Sequence, residues 1–312
     1  MKLVEIYHGH VLADMDKQKP SEFNTSFHTA EEAPGHDVPS EEPYSLKRWL
    51  PLILRLRGLP EDAVQTVTLT PSQGRLLVAA AAGSVQTGTI NRMYAEELEE
   101  DIIPAFSPLS VPPQGLFMRL DACSAKDGAR RDPHKASLDS PQDVLHLLVT
   151  STRARNAMVA SLDRGAPIVV YFLPFDARMG SANEYRVFCP PGGEKVSAIS
   201  QYQWHKPWKL ENKHLDFVFG HIRRVNDKSE MIRSHIIEEL QAGNEMDDLL
   251  LQQGFTFDVW FDDFTGEYEL VELNVFGVRS ACGSCLFHWV KDWEILSGKP
   301  SATPQFRVSG RS

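Results

Sequence analysis

Two carboxylates and one carboxamide stand in a stretch whose alternation otherwise marks sheet strands, "TFDVWFDDFTGEYELVELNVFG" from Thr256 to Gly277. Neighbouring side chains on a strand point to opposite faces, so Phe255, Phe257, Val259 and Phe261 share an apolar core face, while Thr256, Asp258, Trp260 and Asp262 share the other. In the second strand Tyr268, Leu270, Glu272 and Asn274 lie on one face. A hairpin through "DFTGE" (Asp263 to Glu267) pairs Asp262 with Tyr268, Trp260 with Leu270, Asp258 with Glu272 and Thr256 with Asn274. Asp258 and Glu272 then stand roughly 5 Å apart between Cβ atoms, with Asn274 one pleat further on. Like charges so placed are destabilising unless something positive lies between them. A divalent cation meets that need, and an oxygen-only donor set suits Mg²⁺ or Mn²⁺, Mg²⁺ being commonly shared with nucleotide phosphates. A solvated polar face has the same spacing, and the residues alone leave both readings open.

Other chemistry-bearing residues carry weaker signals. "CGSC" (Cys282 to Cys285) has the spacing of a redox pair or half a zinc site, and also of two small residues packed under a glycine turn, which is the plainer reading. Zinc needs two further ligands, and His288 is the one nearby. His146 and His235 fall on apolar helical stripes and read as core histidines. "ARRDPHK" (Ala129 to Lys135) is a basic loop, suited to covering phosphates or to plain solvation.

The elements that must position these residues follow from pattern. The chain has 312 residues, 42% hydrophobic, enough for two domains or one large one. Its 42 acidic against 32 basic side chains give a formal charge of -10, which disfavours nucleic acid and anionic membrane as partners. Four cysteines are too few for a disulfide scaffold, and no apolar run has the length of a signal core or membrane span, so a cytoplasmic location is expected. Residues 1–44 are acidic and carry Pro20, Pro34, Pro39 and Pro43, the composition of a mobile arm. Residues 45–165 supply helices in "SLKRWLPLILRLRG", interrupted or begun at Pro51, in "NRMYAEELEEDIIPAF" and in "DSPQDVLHLLVTSTRARNAMVASLD", the last capped by Ser140 and read as continuous; "LFMRL" among them is a strand. Residues 166–298 supply the strands "PIVVYFLPF", "EYRVFCP" and "KVSAISQYQW", a helix in "NDKSEMIRSHIIEELQAGN", the carboxylate hairpin and a helix in "SCLFHWVKDWEILSG". Residues 299–312 form a fraying tail. Strands and helices in clusters, rather than strict alternation, give the class α+β.

Three ordered blocks, "LFMRLDACSAKDG", "EYRVFC" followed by "AISQ", and "FDVWFD" followed by "VELNVFG", resemble the Cdc123 (D123) family, a group with the ATP-grasp fold. The resemblance runs from Leu116 to Phe276, with a fainter echo in "YSLKRWLPLILR". It implies two α+β subdomains with ATP held between their sheets, and Mg²⁺ on an acid of one strand and an acid-x-Asn triplet of the next, positions that match Asp258, Glu272 and Asn274. It further implies that Arg119, standing where the family more often has Lys, contacts a phosphate, that Ser124 and Lys126 approach the phosphates from the following loop, and that Arg186 points into the same site. Arg186 and Lys126 are thereby the candidate catalytic cations. The strand "VVYFLPF" would be the hinge that reads adenine through its backbone, with Tyr171, Phe172 and Leu173 beside the ring, although it reads equally as a plain buried strand. Two positions depart from the family pattern. Tyr202 follows "ISQ" where an Arg is common, a charge that is absent here or comes from Lys206 or Arg178, and Glu272-Leu273-Asn274 has the Glu-x-Asn form of catalytic ATP-grasp ligases.

Two functions follow. One is an ATP- and Mg²⁺-dependent ligase that joins a small-molecule or peptide carboxylate to an amine through an acyl phosphate, and the departures at Tyr202 and Glu272 incline the reading toward it. The alternative is an ATP-binding assembly chaperone for translation initiation factor 2 that binds its γ subunit, as the family resemblance implies.

Overall fold

The computed structural model describes residues 1–18, 21–180 and 182–310. Among the described residues nine strands run in chain order: β1 (Lys2–Tyr7), β2 (Gln65–Leu69), β3 (Leu116–Leu120), β4 (Ile168–Pro174), β5 (Glu184–Cys189), β6 (Ala198–Gln201), β7 (Phe255–Phe261), β8 (Tyr268–Val275) and β9 (Gln305–Gly310). They form two sheets, and the chain divides into two compact units, residues 1–58 with 178–312, and residues 59–177. The α+β class expected from the sequence is what the structure has. The expected boundaries differ: β4 pairs with β2 and β3, so the strand read as the start of the C-terminal domain belongs to the smaller unit.

The smaller unit carries the sheet β2-β4-β3, antiparallel throughout. Leu116, Met118 and Leu120 of β3 and Ile168, Val170 and Phe172 of β4 point to one face and form a core with the helices Pro71–Thr87, Pro141–Thr150 and Thr152–Asp163. The first of these begins with a capping box, Thr70 and Gln73 each bonding the other's backbone N–H, and ends at Gly88 with φ of 66°. Ser140 caps the second as expected, accepting from the Asp143 N–H. The long helix expected from there is two helices, because the extended backbone of Ser151 breaks the run and its hydroxyl caps the next one at Ala154 N–H.

The larger unit carries the six-stranded sheet β1-β9-β6-β5-β7-β8. Phe255, Phe257, Val259 and Phe261 are fully buried, as the alternation predicts, each contributing about 1.5–3 kcal/mol. The helix Leu215–Glu238 packs on this face through Val218, His221, Ile222, Val225, Ile232 and Ile236, the His221 ring lying against Phe261 and Phe306. A helix at Leu46–Leu56 continues through Pro51 rather than stopping there.

Neither terminus is the loose segment that composition suggests. Lys2–Tyr7 pairs in parallel with Gln305–Gly310, which in turn pairs with β6, so arm and tail are both sheet strands. Further along the arm, Thr25 Oγ1 meets Ser284 Oγ at 3.2 Å and accepts the Trp289 N–H at 3.0 Å, and the Phe27 N–H donates to Ser280 O at 2.8 Å. The backbone is thus satisfied by partners far along the chain, which single-segment composition cannot reveal. Lys19 and Pro20 of the arm, and Arg311 and Ser312 of the tail, lie outside the described residues.

Candidate functional site

The face of the larger sheet opposite the Leu215–Glu238 helix carries the carboxylates. β5 and β7 are antiparallel neighbours with Arg186 opposite Asp258 and Glu184 opposite Trp260. β7 and β8 pair with Asp258 opposite Glu272 and Thr256 opposite Asn274, as the alternation predicts. Beyond Asp258 the register slips by one: Val259 pairs with Leu270, Trp260 with Glu269 and Phe261 with Tyr268. Val271 is the extra residue of a bulge. The expected pairing of Trp260 with Leu270 and Asp262 with Tyr268 is therefore wrong, because the turn is tighter, with Asp262 N–H donating to Glu267 O at 2.9 Å. The bulge turns Tyr268 and Leu270 to the core and brings Glu269 to the face that holds Asp258, Glu272 and Asn274.

The positive group that the opposed carboxylates need is already present. Arg186 Nε donates to Asp258 Oδ1 at 2.8 Å and Nη2 to Oδ2 at 2.7 Å, while Nη1 donates to the Gly283 carbonyl at 2.6 Å. The guanidinium lies 5.2 Å from the centre of the Tyr202 ring. Tyr202 thus stacks on a cation at the position where Arg was expected by resemblance. Asn274 Nδ2 reaches Asp258 Oδ2 at 3.4 Å. Burial pushes the Asp258 carboxyl up, Arg186 pulls it back, and Glu272, close enough to share a hydrogen bond with it, adds to the upward push; the net value is about 6. Burial also acts to lower the Arg186 value, but Asp258 holds it well above its ordinary range.

These side chains fit a hard cation in part. Glu272 and Asn274 are half-buried and offer carboxylate and amide oxygens, whereas Asp258 is 1% exposed with both oxygens bound to Arg186. A hydrogen bond between the Asp258 and Glu272 carboxyls requires one of them to be protonated, which relieves the like-charge repulsion as a cation would. Among the described residues no group of three or more His, Cys, Asp and Glu side chains converges to hold a metal, and with Asp258 engaged by Arg186 the oxygens left on this face are those of the Glu272 carboxylate and the Asn274 amide.

Cys282 and Cys285 border the same place. Both are buried free thiols in the loop after β8 rather than at the head of a helix. Cys282 Sγ lies 3.3 Å from Thr256 Oγ1, and burial pushes its thiol up, as expected of a packed rather than a reactive cysteine. The helix expected over "SCLFHWVKDWEILSG" is confined to Trp293–Leu296. His146, by contrast, is half-buried rather than a core residue, and His235 lies near Glu238.

The other site residues belong to the smaller unit. Arg119 on β3 is bridged to Ser124 across a tight turn closed by Leu120 N–H to Cys123 O at 2.8 Å, so these two are brought together. Lys126 is exposed on the same loop, and the next residue, Asp127, is tied down by the Ser151 hydroxyl at 2.5 Å and the Arg153 N–H at 3.1 Å. Arg119 faces Tyr171 across the strands, on the side of the sheet away from the core. β4 is the central strand, so Tyr171 and Phe172 have strand partners on both sides, Thr66 and Arg119, Gln65 and Met118. Their backbone groups are committed to the ladder, and the Phe172 side chain is in the core, 5.9 Å from the Phe106 ring centre. Leu173 lies beyond Gln65, the first residue of β2, and pairs with Phe117 of β3 alone. A surface depression lined by Thr70, Gln73, Glu97 and Asp101 contains none of the candidate residues.

No protein-family model and no curated protein matches the sequence. Among solved structures, Cdc123 from Schizosaccharomyces pombe is similar at a TM-score of 0.56 and 15% identity, over 88% of this chain and 99% of that chain. A C-terminally truncated form of the same protein is similar at a TM-score of 0.55 and 14% identity, over 98% and 99%. This chain has the fold of Cdc123, an ATP-grasp-like α+β architecture. No helix among the described residues is long and apolar enough to cross a membrane.

Proposed function

We propose that this chain binds ATP with Mg²⁺ or Mn²⁺ and acts as an assembly factor of the Cdc123 kind, engaging the γ subunit of translation initiation factor 2. The observation that carries this reading is the extent of the likeness, which spans 99% of the Cdc123 chain rather than a nucleotide-binding core alone. Glu272 and Asn274 would hold the cation, with Asp258 beside them kept in place by Arg186. A bound cation would supply positive charge to the phosphates. Arg119, Ser124 and Lys126 are proposed to contact phosphate oxygens, Arg119 through the planar fork that suits them. The adenine contact on β4 is proposed at Leu173 rather than at Tyr171 or Phe172.

The ligase reading is second. It is favoured by Glu272 and Asn274 on one face of β8, the acid-x-amide pair that positions a cation for phosphoryl transfer. In that case a carboxylate substrate takes the γ-phosphoryl group, ADP leaves, and an amine then displaces phosphate.

Calorimetric titration of the purified chain with ATP, with and without MgCl₂, tests the common premise, and absence of binding overturns both readings. Capture of the γ subunit without acceptor-dependent ADP release supports the first. ADP formation that requires an added carboxylate and amine, together with a mass-spectrometric amide product, replaces it with the second.

A further inference from the structure

The bulge at Val271 assembles a second polar group on the site face. Glu269, brought round opposite Trp260, accepts from Arg178 Nη2 at 2.7 Å, and its other oxygen lies 3.4 Å from Arg57 Nε. The Arg178 guanidinium lies over the Trp260 ring, 4.5 Å from its centre. A carboxylate on one side and an indole beneath fix its plane, while the side chain keeps 45% of its surface exposed. Trp260 itself is 2% exposed, and its Nε1 is buried with no hydrogen-bond partner among the described residues. An orphaned indole N–H is costly in a folded protein unless a ligand uses it or the site changes on binding. Trp260 stands two residues from Asp258 on the same face of β7, roughly 7 Å along the strand, a distance that a polyphosphate tail can bridge.

We infer that Arg178, held by Glu269 and Trp260, is an additional binding residue for phosphate oxygens of the nucleotide. The inference rests on the ATP-binding reading above. Two arrangements support it beyond charge. A guanidinium that is stacked and paired loses little further freedom on meeting a ligand, so its contact is strong for its exposure. Glu269 has this position only because of a register slip that places an acidic residue on a face already carrying two opposed carboxylates. The cation it holds offsets that crowding.

The test is binding of ATP, ADP and adenosine, each with MgCl₂, to the full chain and to the variants Arg178→Ala, Arg178→Lys and Glu269→Gln, with thermal melting of each variant. The Trp260→Phe variant assigns the share of tryptophan fluorescence that responds. Arg178→Ala should raise the Kd for ATP and ADP by at least ~10-fold and leave adenosine unchanged. Arg178→Lys should recover part of the loss, and Glu269→Gln should lose less than Arg178→Ala. The fluorescence change on adding ATP should shrink in Trp260→Phe. If the intact chain binds no ATP, the functional reading falls, and the inference with it. If the intact chain binds ATP and Arg178→Ala binds it equally, or loses adenosine in the same proportion, or if an added carboxylate alone gives the Arg178-dependent signal, the inference is overturned while the functional reading stands.

Discussion

Arg186 and Asp258 face one another from adjacent strands and are joined by two parallel hydrogen bonds, 2.8 and 2.7 Å long, with the guanidinium 8% and the carboxylate 1% exposed. Such a pair is costly to split, since removing one partner leaves an uncompensated buried charge, about 3–5 kcal/mol. Asp258→Ala and Arg186→Ala should each lower unfolding free energy by about that amount in urea titrations. Arg186→Met with Asp258→Leu should cost less than the two single changes added together. Equal and additive losses would mean that the pair carries no coupling, and that nucleotide effects of Asp258 variants reflect ligand contact alone.

Asp258 also sets a pH dependence. Burial first, then Glu272, raise its value to about 6 despite Arg186. A carboxyl whose folded value is raised binds its proton more tightly when folded, so its contribution to stability is present at low pH and is lost as pH rises through about 6. Thermal melts without divalent cation should therefore show a component that falls as pH rises from about 4 to about 6, the interval between the ordinary carboxyl value and the raised one. Asp258→Asn should flatten it. MgCl₂ should raise the melting temperature more at pH 7.5 than at pH 5, because a cation competes with protons for the same oxygens. A Mg²⁺ effect independent of pH would place the cation elsewhere.

The parts of the fold that were legible are those dictated by side-chain period and by caps. Phe255, Phe257, Val259 and Phe261 alternate and are the buried core face expected of them, although the residues between them are buried too; Ser140 is the expected cap; Asp258 and Glu272 are paired as expected. What alternation cannot carry is a change of register, because the bulge at Val271 has no residue signature beyond a β-branched side chain among others. Nor can it reveal that Arg186 meets Asp258, since strand order joins residues 72 apart. The acidic arm shows the same limit: Thr25 and Phe27 are ordered by partners near residue 284, so their own composition said nothing of it. β4 was recognised as a strand, but only its place between β2 and β3 shows that its backbone is already used.

Asp127 links the Lys126 loop to the helix Thr152–Asp163, accepting from the Ser151 hydroxyl and the Arg153 N–H while the Ser151 hydroxyl caps Ala154. Asp127→Ala should cost about 1 kcal/mol, the scale of a lost helix-terminal acceptor. It should also raise the ATP Kd by a few fold through a looser loop, roughly 3-fold for a contact weakened by part of a hydrogen bond. Lys126→Ala, by contrast, should leave the melting temperature in place and weaken ATP more than Asp127→Ala does. If the two variants show the same loss of stability, the loop matters to folding and not to the nucleotide.

The bulge at Val271 decides which face Glu269 occupies, because in an unbroken ladder Val271 would meet Val259, Leu270 would meet Trp260 and Glu269 would fall opposite Phe261 on the buried side. Deleting Val271 removes the extra residue and leaves Val259 with Leu270 and Trp260 with Glu269, so the ladder becomes regular and Glu269 stays on the site face. The deletion should therefore keep a cooperative urea transition and the Arg178–Glu269 pair, at a cost of about 1–3 kcal/mol, whereas Val271→Ala, which keeps the residue count and is half-buried, should cost about 1 kcal/mol or less. A deletion that unfolds the unit would show that the twist of the bulge serves folding, and a retained fold with weakened ATP binding by calorimetry would place its purpose in the ligand.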